Sequence, residues 1–265
     1  MIDGPRSDST ASSRRPIAKA VQLLSWMVDS PAHHWGVREL ARGVGLPPAT
    51  VHRLLTTLLE EGFVELDGSS SRYELGPEFF RLALKLAGGL NINYIARPFL
   101  EDLSAMWDET VFLSTYDPRR RRAMFVDTVE SSQQLRYVVP LYEWMPVPHA
   151  ASGLAILAYL PADEVEEVLS EPDVQTQIDF PQLQQELERV RTRGYALTAG
   201  MRVPGAVGIA APIFSHADRV VGDVGLSIPE QRFVEADREE LARSVVLCAD
   251  QISRQLGSLH APKPV

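Results

Sequence analysis

The 265-residue sequence predicts an α+β protein in two domains, a small helical one followed by a larger mixed one. Three observations carry this. Between residues 35 and 75, two stretches of helical period around a glycine lead into two short β-capable runs. From residue 92 onward, helices and β-like runs mix without the regular β–α alternation of a parallel sheet. The formal charge of -9 is also uneven: residues 1–85 hold ten Lys and Arg against ten Asp and Glu, and residues 86–265 hold sixteen against twenty-five. The acidic excess therefore belongs to the second part, and the first keeps local basic faces that can meet phosphates.

Residues 1–15, rich in Ser, Asp and Arg, are expected to form a disordered basic arm. In the segment from Pro16 to Val28, Ile17, Ala20, Val21, Leu24, Met27 and Val28 pattern an amphipathic helix. Gly36 to Glu39 can cap a short second helix, with Glu39 reaching back to the cap and Val37, Leu40, Ala41 and Val44 facing inward. Gly45 permits a sharp turn. In the next helix Val51, Leu54, Leu55, Leu58 and Leu59 make one stripe, Pro48 suits the first turn and Gly62 the stop. At about 100° per residue, Ala49, Arg53 and Thr56 point away from that stripe, flanked by Thr50, Thr57 and His52. Small residues around one arginine suit a helix that enters a groove. Phe63–Leu66 and Arg72–Leu75 flank the polar turn Asp67–Ser71 as a wing. Residues 16–75 thus read as a winged helix-turn-helix for double-stranded operator DNA, with Arg38, Ala49, Thr50, His52, Arg53, Thr56, Thr57 and Arg72 as candidate contacts.

Residues 76–89 hold an amphipathic helix, Gly76 to Ala87, with Phe79, Phe80, Leu82, Ala83 and Leu86 on its apolar surface and Gly88-Gly89 as its stop. Its Phe79, Leu82 and Leu86 are candidates for contact with a second copy, as a dimer or a dimer of dimers. Residues 90–258 form the larger domain. A helix Ile92–Trp107 precedes strands Thr110–Tyr116 and Ala123–Val129, whose connection carries Arg119 to Arg122 and reads as a solvated hairpin tip. Leu135–Val139 is expected as a third strand, Tyr142–Pro148 as a loop, and Ala151–Leu160 as a helix stopped by Pro161. Helices Ala162–Ser170 and Pro181–Arg193 precede Gly194 and the β-like runs Tyr195–Thr198, Val207–Phe214 and Val220–Ile228. The last helix, Glu235 to Leu256, presents Leu241, Val245, Cys248, Ala249 and Ile252 to an antiparallel sheet.

Catalytic chemistry finds little support. Cys248 lies on an apolar helix face, where a thiol is inert core, and as the one cysteine it excludes an internal disulfide. The six histidines make no zinc spacing, Ser152-Gly153 lacks the flanks of a nucleophile elbow, and there is no glycine-rich phosphate loop. No metal or cofactor is expected. Without a basic-then-apolar leader or a run of eighteen apolar residues, a cytoplasmic protein that meets no membrane is expected. Two readings remain: a ligand-responsive DNA-binding regulator, or a small-molecule-binding, hydrolase-like protein carrying a non-functional helix-turn-helix.

The segment LARGVGLPPATVHRLLTTLLEEGFVE, followed by RYELG, resembles the winged helix-turn-helix of the IclR family of bacterial transcriptional regulators. ETVFLS, FVDTVES, MPVPHAASGLAILAYLP, RGYAL, IAAPIF and ISRQLG resemble the same family's effector-binding domain, in order, so the likeness spans about residues 16–258. It implies an interdomain linker helix at 76–89, a GAF-like effector-binding domain at 90–258, and repression or activation switched by a small organic acid. The cup's floor would be a helix N-terminus, Ala151, Ser152 and Gly153, whose free N–H groups attract a carboxylate, and its walls Met145, Thr198, Gly208, Gly225 and Ser227. Gly208 stands where the family commonly has cysteine, Thr198 to Met201 where it commonly has acids, and His149 comes one place late. These departures predict a wider, less polar pocket for a larger, partly aromatic or aliphatic acid.

Overall fold

Helix α1 (Arg15–Asp29) buries Leu23 and Met27 in a core shared with α2 (Val37–Val44) and α3 (Pro48–Glu60). The expected stripe is rotated. Ile17, Val21 and Val28 are exposed, and Leu23 takes their place beside Ala20, Leu24 and Met27, because the contact arc is narrower than the apolar arc. At α2 the capping box forms, the Gly36 N–H donating to Glu39 at 3.4 Å. Gly45 then takes a φ of 66°, the left-handed region that side chains resist, and so turns the chain into α3. Helix α3 buries Val51, Leu54, Leu55 and Leu58, whereas Leu59, expected inside, is 40% exposed at the edge of that arc.

Strands β1 (Val64–Asp67) and β2 (Arg72–Leu75) pair antiparallel as the wing. Trp35 adds an unforeseen bridge to Tyr73, through N–H···O bonds of 2.9 and 2.8 Å, and its buried ring anchors the wing to the core. Helix α4 (Pro77–Ala87) follows.

The computed structural model describes residues 15–87, 92–148, 150–175 and 180–259, and the chain separates into two units after Gly89. The expected arm before residue 15, the Gly88-Gly89 stop, His149 and the side chains of Ala83 and Leu86 lie outside the described residues.

In the second unit α5 (Ile92–Trp107) leads into a six-stranded antiparallel sheet. The strands are β3 (Thr110–Asp117), β4 (Arg122–Val129), β5 (Trp144–Pro146), β6 (Ala196–Ala199), β7 (Ala206–Phe214) and β8 (Val220–Pro229), in the order β5-β4-β3-β8-β7-β6. Side chains alternate across this sheet. Val111, Leu113, Ile209, Val224 and Leu226 face α5 and α10 (Arg238–Gln255), while Phe112, Ala210 and Phe214 face α6 (Ala150–Leu157) and its neighbours. Helices α7 (Ala162–Leu169) and α9 (Phe180–Arg193) complete that second layer, and the short α8 (Pro172–Gln175) lies against α7. Cys248 is core, as expected, and burial pushes its thiol up to about 12.

Several expectations need correction. Leu135–Val139 forms no strand, since the free edge of β4 pairs instead with Trp144–Pro146, inside the expected loop. Leu135 and Val138 are exposed, so their alternation never meets a sheet face. Helix α6 ends at Leu157 and tightens through Tyr159 and Leu160, whose N–H groups bond three residues back. A 3₁₀ turn, Glu235–Asp237, precedes α10, and the one-turn α8 was unforeseen. The arginine tip is not simply solvated: Arg121 pairs with Glu167 at 2.8 Å and Glu171 at 3.0 Å, and Arg122 with Asp173 at 2.7 Å.

Candidate functional site

On α3 the apolar stripe settles which face looks outward. Ala49, His52, Arg53, Thr56 and Thr57 are exposed and Thr50 is half-buried. Thr56 and Thr57 donate their hydroxyls back to the carbonyls of His52 and Arg53, at 3.0 and 3.4 Å, which leaves acceptor lone pairs outward. Among the described residues Arg38, Arg42 and Arg53 have no carboxylate partner, so their charges stay available to an outside anion. Arg72 differs. Its guanidinium lies 2.7 Å from Glu39 and 2.8 Å from the His34 carbonyl, and Glu39 also caps α2. It therefore braces the wing against α2 rather than offering a free cation.

The second unit holds a cavity where α6 starts above β7 and β8. Ala151, Ser152, Thr198, Gly208 and Ser227, five of the expected cup residues, line it together. Met145 and Gly153 line a separate, adjoining hollow that shares Ser152, Met201 and Arg202 with the first. Gly225 lines neither. It sits within the sheet, where a side chain would collide with the Ile209 carbonyl and the Phe112 ring. Gly153 likewise lets α6 approach the chain at Val147, whose carbonyl a Cβ would strike.

The helix start is less open to an anion than expected, because the Ala151 N–H already donates to Thr198 Oγ1 at 3.1 Å. Ala150 enters α6 with a φ of 62°, a conformation uncommon outside glycine. Behind the floor, Ser152 Oγ donates to Asp223 Oδ1 at 2.7 Å and Ser114 Oγ donates to the same oxygen. Asp223 is fully buried, and desolvation, opposed by those two hydroxyls and by the charge of Arg202, raises its carboxyl to about 6.

Walls that sequence reasoning missed come from three places. The segment Tyr137 to Pro140 and the β6–β7 loop residues Met201, Arg202 and Val203 close the sides, and Phe112 and Phe125, edge-to-face at 5.0 Å, form the back. The cavity is apolar, as expected, but holds about 90 Å³, less than the roughly 150 Å³ known to admit a benzene ring. The adjoining hollow holds about 270 Å³. Among the described residues no cluster of His, Cys, Asp or Glu could hold a metal ion, and no helix is long and apolar enough to cross a membrane.

Comparison with known proteins agrees with both halves. Residues 16–68 match the IclR helix-turn-helix domain, and residues 84–254 the bacterial transcriptional regulator IclR C-terminal domain. The HTH-type transcriptional regulator Rv1719 of Mycobacterium tuberculosis is 33% identical over 244 residues, covering 90% of this chain and 91% of its own. The structure of an IclR transcriptional regulator from Silicibacter sp. TM1040 superposes with a TM-score of 0.77 at 28% identity, over 94% of this chain and 100% of that one. An IclR homologue from Microbacterium hydrocarbonoxydans, crystallised with 4-hydroxybenzoate, shares the fold with a TM-score of 0.76 at 23% identity, over 91% of this chain and 98% of its own. With a reading helix at one end and a matched C-terminal domain at the other, the chain belongs to the IclR family of bacterial transcriptional regulators.

Proposed function

We propose that this regulator binds operator DNA through the exposed face of α3 and that a small organic acid in the cavity at the start of α6 modulates that binding. The observation that carries the effector reading is an apolar cavity whose floor is a helix start and whose lining includes few polar residues, Ser152, Thr198 and Ser227 among them. The relative crystallised with 4-hydroxybenzoate supports an acid with an aromatic body. DNA contact falls to Arg53, with Thr50, Thr57 and Arg38 on phosphates and Ala49, His52 and Thr56 beside base edges. Arg72 acts through the placing of the wing.

The working form is a dimer or a dimer of dimers in the cytoplasm, without enzymatic activity. One winged helix spans too few base pairs for useful specificity, and a two-fold pair places two reading helices on symmetric half-sites. Phe80 and Leu82, 55% and 37% exposed on α4, supply apolar surface for such contact.

Two linked measurements test this reading. Fragments of the source genome selected by the purified protein should converge on a short inverted repeat, and an acid that raises the protein's melting temperature should change the affinity for that repeat. Selection without convergence, or stabilising acids that leave affinity untouched, would refute it.

A further inference from the structure

An acid in this cavity needs a counter-charge, and the helix start alone does not supply it. The first N–H of α6 that faces the cavity is already used by Thr198, and the remaining lining groups are hydroxyls, aliphatic side chains and aromatic rings. Arg202 is the exception. Among the described residues it is the single charged side chain on the cavity wall, and it also lines the adjoining hollow. Its guanidinium lies 4.8 Å over the ring of Phe125, and among the described residues it has no carboxylate partner. Most other arginines of this unit are paired, as Arg121, Arg122, Arg193 and Arg232 show. An arginine stacked on a ring at a cavity wall, rather than paired with an acid, is held in readiness for an anion from outside.

A second feature points the same way. Ser152, Met201 and Arg202 line both hollows, so the two spaces adjoin at these residues. The smaller hollow by itself is too tight for a ring, whereas the adjoining one, at about 270 Å³, exceeds what one ring requires.

Building on the organic-acid reading above, we propose that Arg202 is the specificity-determining residue of the effector site. Its guanidinium pairs with the carboxylate of a monocarboxylic acid whose ring-sized apolar body lies against Phe112 and Phe125 and extends past Met201 into the adjoining hollow. The pairing draws the guanidinium from its seat on Phe125 towards the acid. Partial desolvation of the guanidinium beside the cavity pulls this arginine below its ordinary value, opposed by the charges of Glu143 and Asp223.

Matched pairs of probes that differ only in charge test this on the full-length protein: benzoate with benzamide, 4-hydroxybenzoate with 4-hydroxybenzamide, and octanoate with octanamide, followed by calorimetry and thermal shift. At least one acid is expected to bind wild type tenfold or more tightly than its amide. Arg202→Gln should reduce the affinity for that acid ten- to a hundredfold and leave the amide unchanged, while Arg202→Lys restores part of the loss. Equal affinity of wild type and Arg202→Gln for the acid would overturn the role of Arg202 and leave the organic-acid reading standing. Failure of every acid to bind wild type at millimolar concentration would overturn both. Unliganded melting temperatures of the two variants, expected within a degree or two of wild type for so exposed a loop, separate lost recognition from lost folding.

Discussion

Ser152 and Asp223 join the floor of the cavity to the centre of the sheet: the serine at the start of α6 donates to the carboxylate of β8 at 2.7 Å. Ser114 on β3 donates to the same oxygen, whereas Asp223 Oδ2 has no hydrogen-bond partner among the described residues. A buried oxygen without a donor disfavours the charged form, and burial raises the group from 3.8 to about 6. The sign follows from the direction. A raised native value means that the native chain holds this proton more tightly than the unfolded chain, so the contribution to stability is full below about pH 4 and is lost as pH rises through 6. The loss amounts to about 3 kcal/mol. Asp223→Asn should therefore melt higher than wild type at pH 8 and lose that advantage below pH 4, and parallel melting curves across this range would contradict the assignment.

Arg53 and Arg72 separate reading from placing. Arg53→Ala removes an exposed, unpaired donor from α3 and is expected to cost about 1–3 kcal/mol of operator affinity, with a shallower salt dependence. Arg72→Ala breaks a half-exposed pair with Glu39, worth no more than about 1 kcal/mol to folding. It should weaken DNA binding through the wing while the salt slope stays at the wild-type value. Titrations at three salt concentrations distinguish the two, and a reduced slope for Arg72→Ala would return that residue to the phosphate contacts.

The winged half of this fold was readable because its signals are local. The Glu39 cap, the Gly45 turn, Pro48 and the leucine period of α3 each act within a few residues of themselves. Failures arose where partners lie far apart in sequence. Leu135–Val139 alternates like a strand, but a strand needs a free edge, and β4 gave its edge to Trp144–Pro146. The ion pair of Arg72 was hidden for the same reason, since Glu39 and His34 are more than thirty residues earlier. Arg202, in a loop between glycines, has no local mark that separates it from a solvated arginine. Asp223 did leave a signal: a single carboxylate inside the apolar run Val220–Ile228 has to be exposed at an edge or buried with hydroxyl donors. The cup residues drawn from family likeness came together except Met145, Gly153 and Gly225, whose positions depend on how closely backbone segments approach.

Two glycines of the site predict opposite behaviour. A Cβ on Gly208 would rest 3.4 Å from Ala151 Cβ and 3.7 Å from Thr198 Oγ1, which is ordinary contact. Gly208→Ala should fold normally and Gly208→Leu should fill the cavity, so that an acid stabilising wild type no longer raises the melting temperature. Gly153→Ala drives a methyl into the Val147 carbonyl and forces α6 away from the chain there, at a cost of about 3 kcal/mol or more. A Gly153→Ala protein as stable as wild type would show that α6 can shift freely, contrary to its fully buried surroundings.

Assembly can be tested through α4. Leu82 is 37% exposed and Phe80 55% exposed on a helix whose Phe79 ring meets Phe80 edge-on at 6.4 Å, so part of the apolar surface of α4 is accessible. Apolar surface of this kind is stable in water when it is covered by another surface, and a second copy offers a matching one under two-fold symmetry. A charge there must be desolvated on association, whereas in the monomer it stays in water. Leu82→Glu should therefore leave the circular dichroism spectrum and the monomer's melting behaviour close to wild type. It should also shift light-scattering mass towards the 29.4 kDa chain. Operator affinity should fall with it, because two reading helices on one inverted repeat bind far more tightly than either alone. A variant that remains a dimer with full operator affinity would remove α4 from the interface, and a wild-type chain that scatters as a monomer at micromolar concentration would remove the dimer itself.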